Sequence, residues 1–228
     1  MASYVASKFI PSVYLDKALI KSLEVLFKSF AQKYYADSGE EASKVDMQLS
    51  IFDKAGMERL VSIDEYQYPR FTNDTRSISL GFEAVSPSRS FSINIKFGPA
   101  RSSSRISVVV SMVHAKAIAQ GIISDVVELL KQHSNLNFIF HYQLVWAFQC
   151  LLGSIALFNA GRYWNNWEDV ELLVPAAASA LLGVLMAVNK YTTLDTRRNS
   201  SIEKYQRSLI FALGGTVVFG GIGKLLWG

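Results

Sequence analysis

The sequence predicts an α+β domain over residues 1–135 and a transmembrane helical domain over residues 136–228. Three observations lead to this fold class. Two segments of the first part repeat apolar residues at helical spacing. Between them, apolar residues alternate with polar ones, as in the strands of a half-buried sheet. After His133 the charges become sparse, and long uncharged stretches follow. The predicted order is therefore helix, an antiparallel meander of about five strands, helix, and a bundle of two to three spans.

The first predicted element is an amphipathic helix that starts after Pro11 and ends near Tyr35. Its apolar residues recur three and four positions apart and form one face. They are Leu15, Leu19, Leu23, Leu26, Phe27, Phe30 and Tyr34. The polar segment 37–41 ends the helix, and Gly39 within it is a suitable terminator.

Five strands are predicted next. An alternating segment runs from Val45 to Ile51, and a turn at 53–56 leads to a return strand at 60–63. Three further strands are expected at 77–82, 91–97 and 106–112. The links between them are short, which favours antiparallel neighbours, because parallel strands need long crossover connections.

A second amphipathic helix is predicted from about Ala115 to Lys131. Its apolar face consists of Ile118, Ala119, Ile122, Ile123, Val126, Leu129 and Leu130. We expect both helices to pack on one face of the sheet, which is the simplest α+β arrangement. The second helix then leads directly into the membrane block.

Three membrane spans are predicted, at 138–160, 172–189 and 208–227. The first two contain no Asp, Glu, Lys or Arg, and about 20 such residues in a helix cover the hydrocarbon core of a bilayer. The third is rich in glycine and contains Lys224 near its end, where a lysine can reach the interface. A re-entrant or interfacial segment is the alternative for this third stretch.

The loops predict the orientation. The linker between the second and third spans is basic, with Lys190, Arg197, Arg198, Lys204 and Arg207. The linker between the first and second spans contains one Arg beside three acidic residues. The positive-inside rule places the basic linker in the cytoplasm. The N-terminal domain is then cytoplasmic too, and we expect an integral protein of the cell (inner) membrane.

Each predicted span carries a stripe of small residues. Such residues allow close approach of helix backbones in lipid. The helix-packing residues predicted in this way are Gly153, Ala156, Ser179, Gly183, Ala187, Ala212, Thr216 and Gly220. Packing within one three-helix bundle and packing between copies of the chain are both compatible with them. The expected partners are therefore membrane lipid and further copies of the chain.

Composition limits the other partners and cofactors. The formal net charge is +4, from 23 Lys and Arg against 19 Asp and Glu. This excess is mild, so we do not expect nucleic acid as a partner. The single cysteine, Cys150, can form neither an intrachain disulfide nor a cysteine-based metal site. The three histidines lack metal-ligand spacing, and we predict no metal and no cofactor.

The loop 98–105 is the strongest candidate for a ligand site in the first domain. It combines a Gly-Pro start with three serines and two arginines. The proposed anion- or ligand-binding residues are Arg89, Lys96, Arg101, Ser103 and Arg105. Guanidinium groups and hydroxyls suit phosphate groups of a nucleotide or of lipid headgroups. A weaker candidate is a carboxylate cluster of Asp64, Glu65 and Asp74.

Two functions from different classes remain open. The first is a membrane-anchored, non-enzymatic assembly protein whose cytoplasmic domain binds a protein partner, a ligand or itself, and whose helices oligomerise. Its sharpest version is an effector that perturbs the membrane. The second is a membrane-bound enzyme that acts on a phosphorylated or lipid substrate at the 98–105 loop. No catalytic motif was found in the sequence, so the non-enzymatic function is preferred.

Overall fold

The computed structural model describes residues 3–36, 44–141, 145–147, 149–151, 153–154, 179–180, 182–183 and 190–196. These residues form an α+β region with a six-stranded antiparallel sheet, two long helices and a short two-stranded sheet. The elements are β1 Ser3–Phe9, β2 Tyr14–Leu15, α1 Lys17–Ala36, β3 Lys44–Phe52, β4 Met57–Leu60, β5 Ser77–Val85, β6 Ser90–Phe97, β7 Arg105–Ser111, α2 Ala115–Gln132 and β8 Thr193–Leu194. Three 3₁₀ turns lie at Ile63–Glu65, Arg101–Ser103 and Leu136–His141.

The large sheet has the strand order β1-β7-β6-β5-β3-β4. Strands β5, β6 and β7 form a meander, and β3 pairs with β5 along its whole length. The hairpin strand β4 pairs with the other side of β3 and forms one edge. Strand β1 pairs with β7 and forms the opposite edge, so the first and last strands of this sheet in chain order are neighbours.

One face of the sheet carries the core. Its side chains alternate along each strand, as the two-residue period of a pleated strand requires. The inward residues of β5 and β6 are Ile78, Leu80, Phe82, Ala84, Phe91, Ile93, Ile95 and Phe97, and each is at most 2% exposed. Buried side chains of both helices belong to the same cluster. Both helices therefore cover one face, and the opposite face is called the outer face below.

The helix ends follow from local chemistry. Helix α1 begins after Asp16, whose carboxylate accepts a hydrogen bond from the backbone N–H of Leu19 at 2.7 Å. This is the usual N-cap interaction. Helix α2 begins after His114, a residue in the left-handed region with a φ of 59°. Its buried residues recur at helical spacing and pack against β1 and β7.

The α+β arrangement with an antiparallel sheet is confirmed, but four details differ from the prediction. The predicted five strands do not form one meander, because β3 lies beside β5 and the return strand β4 is on the other side of β3. The sheet has six strands because Ser3–Phe9 is a strand that the sequence did not reveal. The first helix starts at Lys17 rather than after Pro11, because 14–15 are extended and pair with β8. The return strand is Met57–Leu60, and Ile63 lies in a 3₁₀ turn beyond it.

The predicted membrane spans fall largely outside the described residues. Described parts of the first span are 138–141 and short helical pieces within 145–154, and those of the second are 179–180 and 182–183. The third, 208–227, lies wholly outside. The stretch Leu136–His141 forms a 3₁₀ turn, so the predicted start of the first span at 138 is not α-helical. Within the described residues, none of the helices combines the length and the apolar character needed to cross a membrane.

Candidate functional site

Residues 190–196 dock onto the α+β domain, although the sequence places them between the second and third predicted spans. Strand β8 pairs in parallel with β2, with Tyr14 opposite Thr193 and Leu15 opposite Leu194. The backbone N–H of Thr193 donates to the carbonyl of Val13 at 3.0 Å. Leu194 is 6% exposed and belongs to the main core. The segment is therefore part of the folded domain and not a free loop.

Tyr191 is the aromatic residue of this segment, and it is buried. It is 5% exposed, and its hydroxyl donates to the carbonyl oxygen of Ile10 at 2.8 Å. Its backbone N–H donates to the carbonyl of Pro99 at 2.8 Å, and its carbonyl accepts from the hydroxyl of Ser12 at 2.6 Å. Burial raises the pKa of the Tyr191 phenol above its usual range, since water no longer stabilises the phenolate. The phenol is therefore held in its neutral, hydrogen-bonding form.

The same segment contacts the residues that lead into the first predicted span. The side-chain amide of Asn137 donates to the carbonyl of Lys190 at 2.9 Å and to the hydroxyl of Thr193 at 2.8 Å. Asn137 is 7% exposed, so this polar side chain is buried with partners. Ser12 donates its hydroxyl to the side-chain oxygen of Asn135. The chain before the first predicted span and the chain after the second thus meet at one place.

We call this meeting place the junction; it comprises residues 10–15, 134–137 and 190–196. It lies at the end of the sheet where β1 ends and β7 begins, because Ile10 donates its N–H to the carbonyl of Ser104 at 3.3 Å. Ser104 is fully buried there, and its hydroxyl lies 3.2 Å from that of Thr192. The junction thus joins loop 98–105 to the docked segment.

The loop 98–105 is compact. Gly98 permits a close approach to Ser103, because a β-carbon at position 98 would lie 2.7 Å from the β-carbon of Ser103. The Ser103 hydroxyl is engaged within the loop, where it donates to the carbonyl of Ala100 at 2.8 Å. Ser104 donates to the carbonyl of Gly98 at 2.9 Å. These hydroxyls therefore stabilise the loop, and Ser103 is a structural residue here rather than an open anion ligand.

Three of the predicted basic residues lie together on the outer face at the junction end of the sheet. Arg105 is opposite Lys96 on one side and Phe9 on the other in the strand register. The guanidinium carbons of Arg105 and Arg101 lie 4.7 Å and 5.8 Å from the centroid of the Phe9 ring. Phe9, Lys96, Arg101 and Arg105 are called the basic patch below.

Arg89 lies elsewhere. It precedes β6, whereas Lys96 lies near the end of that strand. Lys96 lies seven positions after Arg89 along extended chain, which is about 23 Å at the usual rise per residue. The carbonyl of Arg89 accepts from the N–H of Ser86 at 2.7 Å, in the turn at the far end of the sheet. The structure does not place Arg89 with the other candidate anion-binding residues.

A cleft runs between the edge strand β1 and helix α2. It has a volume of 870 Å³ and is lined by residues 4–8 of β1 and by one side of α2, including Gln120, Ser124 and Glu128. In the described part of the chain, the second edge of β1 pairs with no strand. An edge of this kind presents free backbone N–H and C=O groups to an additional strand. Strand β1 contains no proline, and Lys8 near its end is the one charged residue.

Three of the predicted helix-packing residues are described, and they lie close together beside one polar side chain. They are Gly153, Ser179 and Gly183, and the polar residue is Gln149. The side-chain amide of Gln149 donates to the carbonyl of Ser179 at 2.9 Å. A β-carbon on Gly153 would lie 3.7 Å from the Ser179 hydroxyl, and one on Gly183 would lie 3.3 Å from the Gln149 amide. Ala156, Ala187, Ala212, Thr216 and Gly220 fall outside the described residues. The described helix-packing residues Gly153, Ser179 and Gly183 thus lie at the contact that Gln149 makes between the two predicted spans.

The acidic residues near the β4 edge form exposed ion pairs. Asp64 pairs with Lys21, and the hydrogen bond from this lysine lowers the pKa of the Asp64 carboxyl. Asp74 pairs with Lys54 at 2.9 Å, and this hydrogen bond likewise lowers the pKa of the Asp74 carboxyl. The carboxylate of Glu65 accepts from the N–H of Val61 at 2.9 Å. Among the residues described, no group of three or more His, Cys, Asp or Glu is placed to bind a metal ion. These acids are each held by a separate partner.

Comparison with known proteins gives no relative: no family model, no curated protein and no solved structure matches this chain.

Proposed function

We propose that the chain is a membrane-anchored assembly protein whose α+β domain lies against the membrane on the cytoplasmic side and binds a protein partner or another copy. The predicted spans anchor it, and their small-residue stripes associate. The observation that carries the proposal is the docking of residues 190–196 into the domain. That segment belongs by sequence to the linker between two predicted spans. Its contacts with the domain therefore fix the predicted spans to the domain.

The docking supports an even number of membrane crossings between Asn137 and Lys190. If residues 138–160 and 172–189 both cross the membrane, the chain returns to the starting side at Lys190. The contacts of Asn137 with Lys190 and Thr193 require that the two ends are on the same side. The basic linker predicts the cytoplasm for that side.

Exposed apolar side chains in the described part of the first predicted span support burial in lipid or against another helix. Phe138, Ile139, Trp146 and Leu151 are between 44% and 56% exposed. Large apolar groups that are exposed close together mark a contact surface. An anchored protein would cover them with lipid or with a neighbouring span.

The cleft between β1 and α2 is the surface to which we assign partner binding. A strand that pairs with β1 extends the sheet by backbone hydrogen bonds, and its alternate side chains enter the cleft beside α2. Pairing of this kind accepts an extended segment of another protein or of a second copy. The N–H of Ile10 donates to β7, so by alternation the N–H of Val5 points to the open edge. Replacing Val5 by Pro is therefore expected to prevent the pairing.

Sidedness tests the anchoring. Cys150 is replaced by Ser, and single cysteines are introduced at Ser92 on the sheet, at Asn165 in the acidic linker and at Asn199 in the basic linker. We expect a membrane-impermeant maleimide to label positions 92 and 199 from one side of sealed vesicles and position 165 from the other. Labelling of all three from the same side contradicts the two-span arrangement.

Particle size tests the assembly. The full chain is purified in mild detergent and in nanodiscs, and its mass is measured by light scattering. We expect more than one copy per particle, with a lower copy number or loss of a co-purified partner in the Val5→Pro variant. Replacing Val113, an exposed residue at the far end of the sheet, by Pro controls for insertion of a proline. A single copy without any partner contradicts assembly.

A further inference from the structure

Phe9 is a large apolar side chain exposed among cations. It is the last residue of β1, and 43% of its surface is exposed. Arg105 lies directly opposite it in the register, and the Arg101 and Arg105 guanidinium groups lie near its ring. Attraction between the cations and the aromatic face orients both guanidinium groups at one spot on the surface.

The patch has an excess of positive charge. Within the described part of the chain, none of Lys96, Arg101 and Arg105 forms a salt bridge with a carboxylate. The outer-face acid Glu83 lies opposite Ser92, which is four residues from Lys96 on β6, or about 13 Å along the strand. The cations of the patch are therefore available to an external anion.

The position of the patch indicates which anion it meets. Two residues of the patch, Arg101 and Arg105, belong to loop 98–105, whose Pro99 carbonyl accepts from the N–H of Tyr191 in the junction. At the junction the chain enters the first predicted span and returns from the second. The outer face at this end of the sheet is thus next to the predicted membrane surface, whereas Arg89 is at the far end.

We propose that the basic patch binds the phosphate groups of anionic phospholipid headgroups, with Phe9 inserted at the membrane interface; this rests on the proposed membrane anchoring. Guanidinium groups bind phosphate oxygens through pairs of charge-assisted hydrogen bonds. An aromatic ring at the level of the headgroups is a common interfacial anchor. Lipid binding fixes the orientation of the α+β domain and leaves the β1 edge open to partners.

The test measures the environment of the patch in the full chain. Cys150 is replaced by Ser, and an environment-sensitive fluorophore is attached to a cysteine at Ser102, an exposed residue beside Arg101. A second labelled chain carries the cysteine at Val113, at the far end of the sheet and 72% exposed. Each is inserted into nanodiscs of phosphatidylcholine alone or of phosphatidylcholine with phosphatidylglycerol. We expect a shift of emission to shorter wavelength at position 102 in the anionic discs and no difference at position 113.

Charge variants decide whether the patch is responsible. The double substitution Arg101→Ala and Arg105→Ala is expected to abolish the shift at position 102. Arg89→Ala, which removes one positive charge outside the patch, should leave it unchanged. Salt raised from about 0.05 M to about 0.5 M should reduce the shift, because it screens exposed charges. Equal emission in both lipids, an equal shift at both positions, or equal loss with Arg89→Ala overturns the proposal.

Two further experiments are needed. One distinguishes lipid phosphate from a free phosphate compound, and the other distinguishes failure of this proposal from failure of the membrane anchoring. Inorganic phosphate that reverses the shift more than sodium chloride of equal ionic strength would assign the patch to a free phosphate compound and overturn the lipid assignment. If the chain enters neither kind of disc, the anchoring proposal fails, and flotation with vesicles decides the inference independently. Flotation with phosphatidylglycerol vesicles that is lost in the double arginine variant retains it, and no flotation of the unaltered chain overturns it.

Discussion

The hydroxyl of Tyr191 donates a hydrogen bond to the carbonyl oxygen of Ile10 at 2.8 Å, across 181 positions of the sequence. The bond joins the segment between β1 and β2 to a segment that follows two predicted membrane spans. Ile10 and Tyr191 are 1% and 5% exposed, so both sides of the contact are buried. Displacement of residues 190–196 must therefore disturb the core of the domain, and the reverse holds as well.

Tyr191→Phe is expected to weaken the docking of residues 190–196. The substitution retains the ring but leaves the buried carbonyl of Ile10 without its donor, which should cost about 1–3 kcal/mol. Tyr191→Ala also leaves a cavity and should cost about 3–5 kcal/mol. Hydrogen–deuterium exchange of peptides covering 190–196 measures the loss of protection. Tyr68→Phe, at a tyrosine that is 58% exposed, should leave that exchange unchanged.

Alkaline pH is expected to release the same segment. Burial raises the pKa of Tyr191 in the folded chain, whereas an unfolded tyrosine titrates near about 10. The stabilisation is therefore complete below the unfolded value and is lost as the pH rises through the higher folded value. Ultraviolet absorbance of tyrosinate follows the titration. The difference between the unaltered chain and Tyr191→Phe should show a tyrosine that ionises later than an ordinary one.

The same difference curve can contradict this account. Burial also raises the pKa of Tyr66, but that contribution is present in both chains and cancels. A difference curve with an ordinary tyrosine midpoint would show that Tyr191 is accessible to water. The docked segment would then not depend on the neutral phenol.

Gly98→Ala is expected to disrupt loop 98–105. The new β-carbon would lie 2.7 Å from the β-carbon of Ser103, closer than such atoms approach in proteins, and overpacking of this kind costs about 1–3 kcal/mol. Gly81→Ala is the matched control, since its nearest neighbour would be the carbonyl of Gln48 at an ordinary 3.7 Å. Thermal unfolding measured by circular dichroism should show a lower midpoint for the first variant only. Adding Ser103→Gly should restore much of it, and failure to do so would exclude Ser103 as the cause.

The sequence reveals those parts of the fold in which side-chain pattern and burial agree. Strands β5 and β6 alternate strictly between buried and partly exposed residues, and both were predicted. Strand β1 was not predicted because neither of its faces is consistently apolar. Lys8 is on the face that the helices cover, and Val5 and Phe9 are on the outer face. Local periodicity cannot reveal a strand whose partner, β7, is about a hundred positions away.

The candidate site shows the same limit. The basic residues Arg101 and Arg105 were predicted to lie together because they share one loop, and Lys96 because it is near in the chain. Arg89 was grouped with them because it lies on the same meander, but the strand Ser90–Phe97 places it at the other end of the sheet. The docked segment 190–196 was treated as part of a basic linker, since its pairing with β2 depends on residues at the other end of the chain. Its run of Tyr, Thr, Thr and Leu, which favours strands, was the available signal.

Glu24→Gln is expected to lower the stability of the α+β domain. Glu24 is 1% exposed, and its carboxylate accepts from the hydroxyl of Ser62 at 2.9 Å and from the N–H of Ile63 at 2.7 Å. It thereby caps the 3₁₀ turn at Ile63–Glu65 and fixes that turn to α1. Hydrogen bonds to a charged group contribute about 1.5–3 kcal/mol, and a neutral amide retains only part of this. Chemical denaturation followed by circular dichroism gives the difference.

The matched control for Glu24 is Asp64→Asn. Asp64 pairs with Lys21 on the surface, and the pair is exposed to solvent, so its removal should leave the unfolding midpoint unchanged. An equal loss of stability in both variants would mean that the net charge of this region determines the stability. The buried hydrogen bonds of Glu24 would then make no separate contribution.

Cysteines at positions 153 and 179, in a chain with Cys150→Ser, are expected to form a disulfide under mild oxidation. A β-carbon at position 153 lies 3.7 Å from the hydroxyl oxygen of Ser179, which is within the reach of a disulfide. Electrophoresis without reductant distinguishes the two packing modes. A faster monomer band means that the two predicted spans pack within one chain, and a dimer band means that the small-residue stripes pack between copies.

A cysteine pair at 151 and 179 is the control, since Leu151 is 55% exposed and was not predicted to face the other span. No crosslink at 153 and 179 would contradict the contact between Gln149 and Ser179 and, with it, the association of the first two predicted spans.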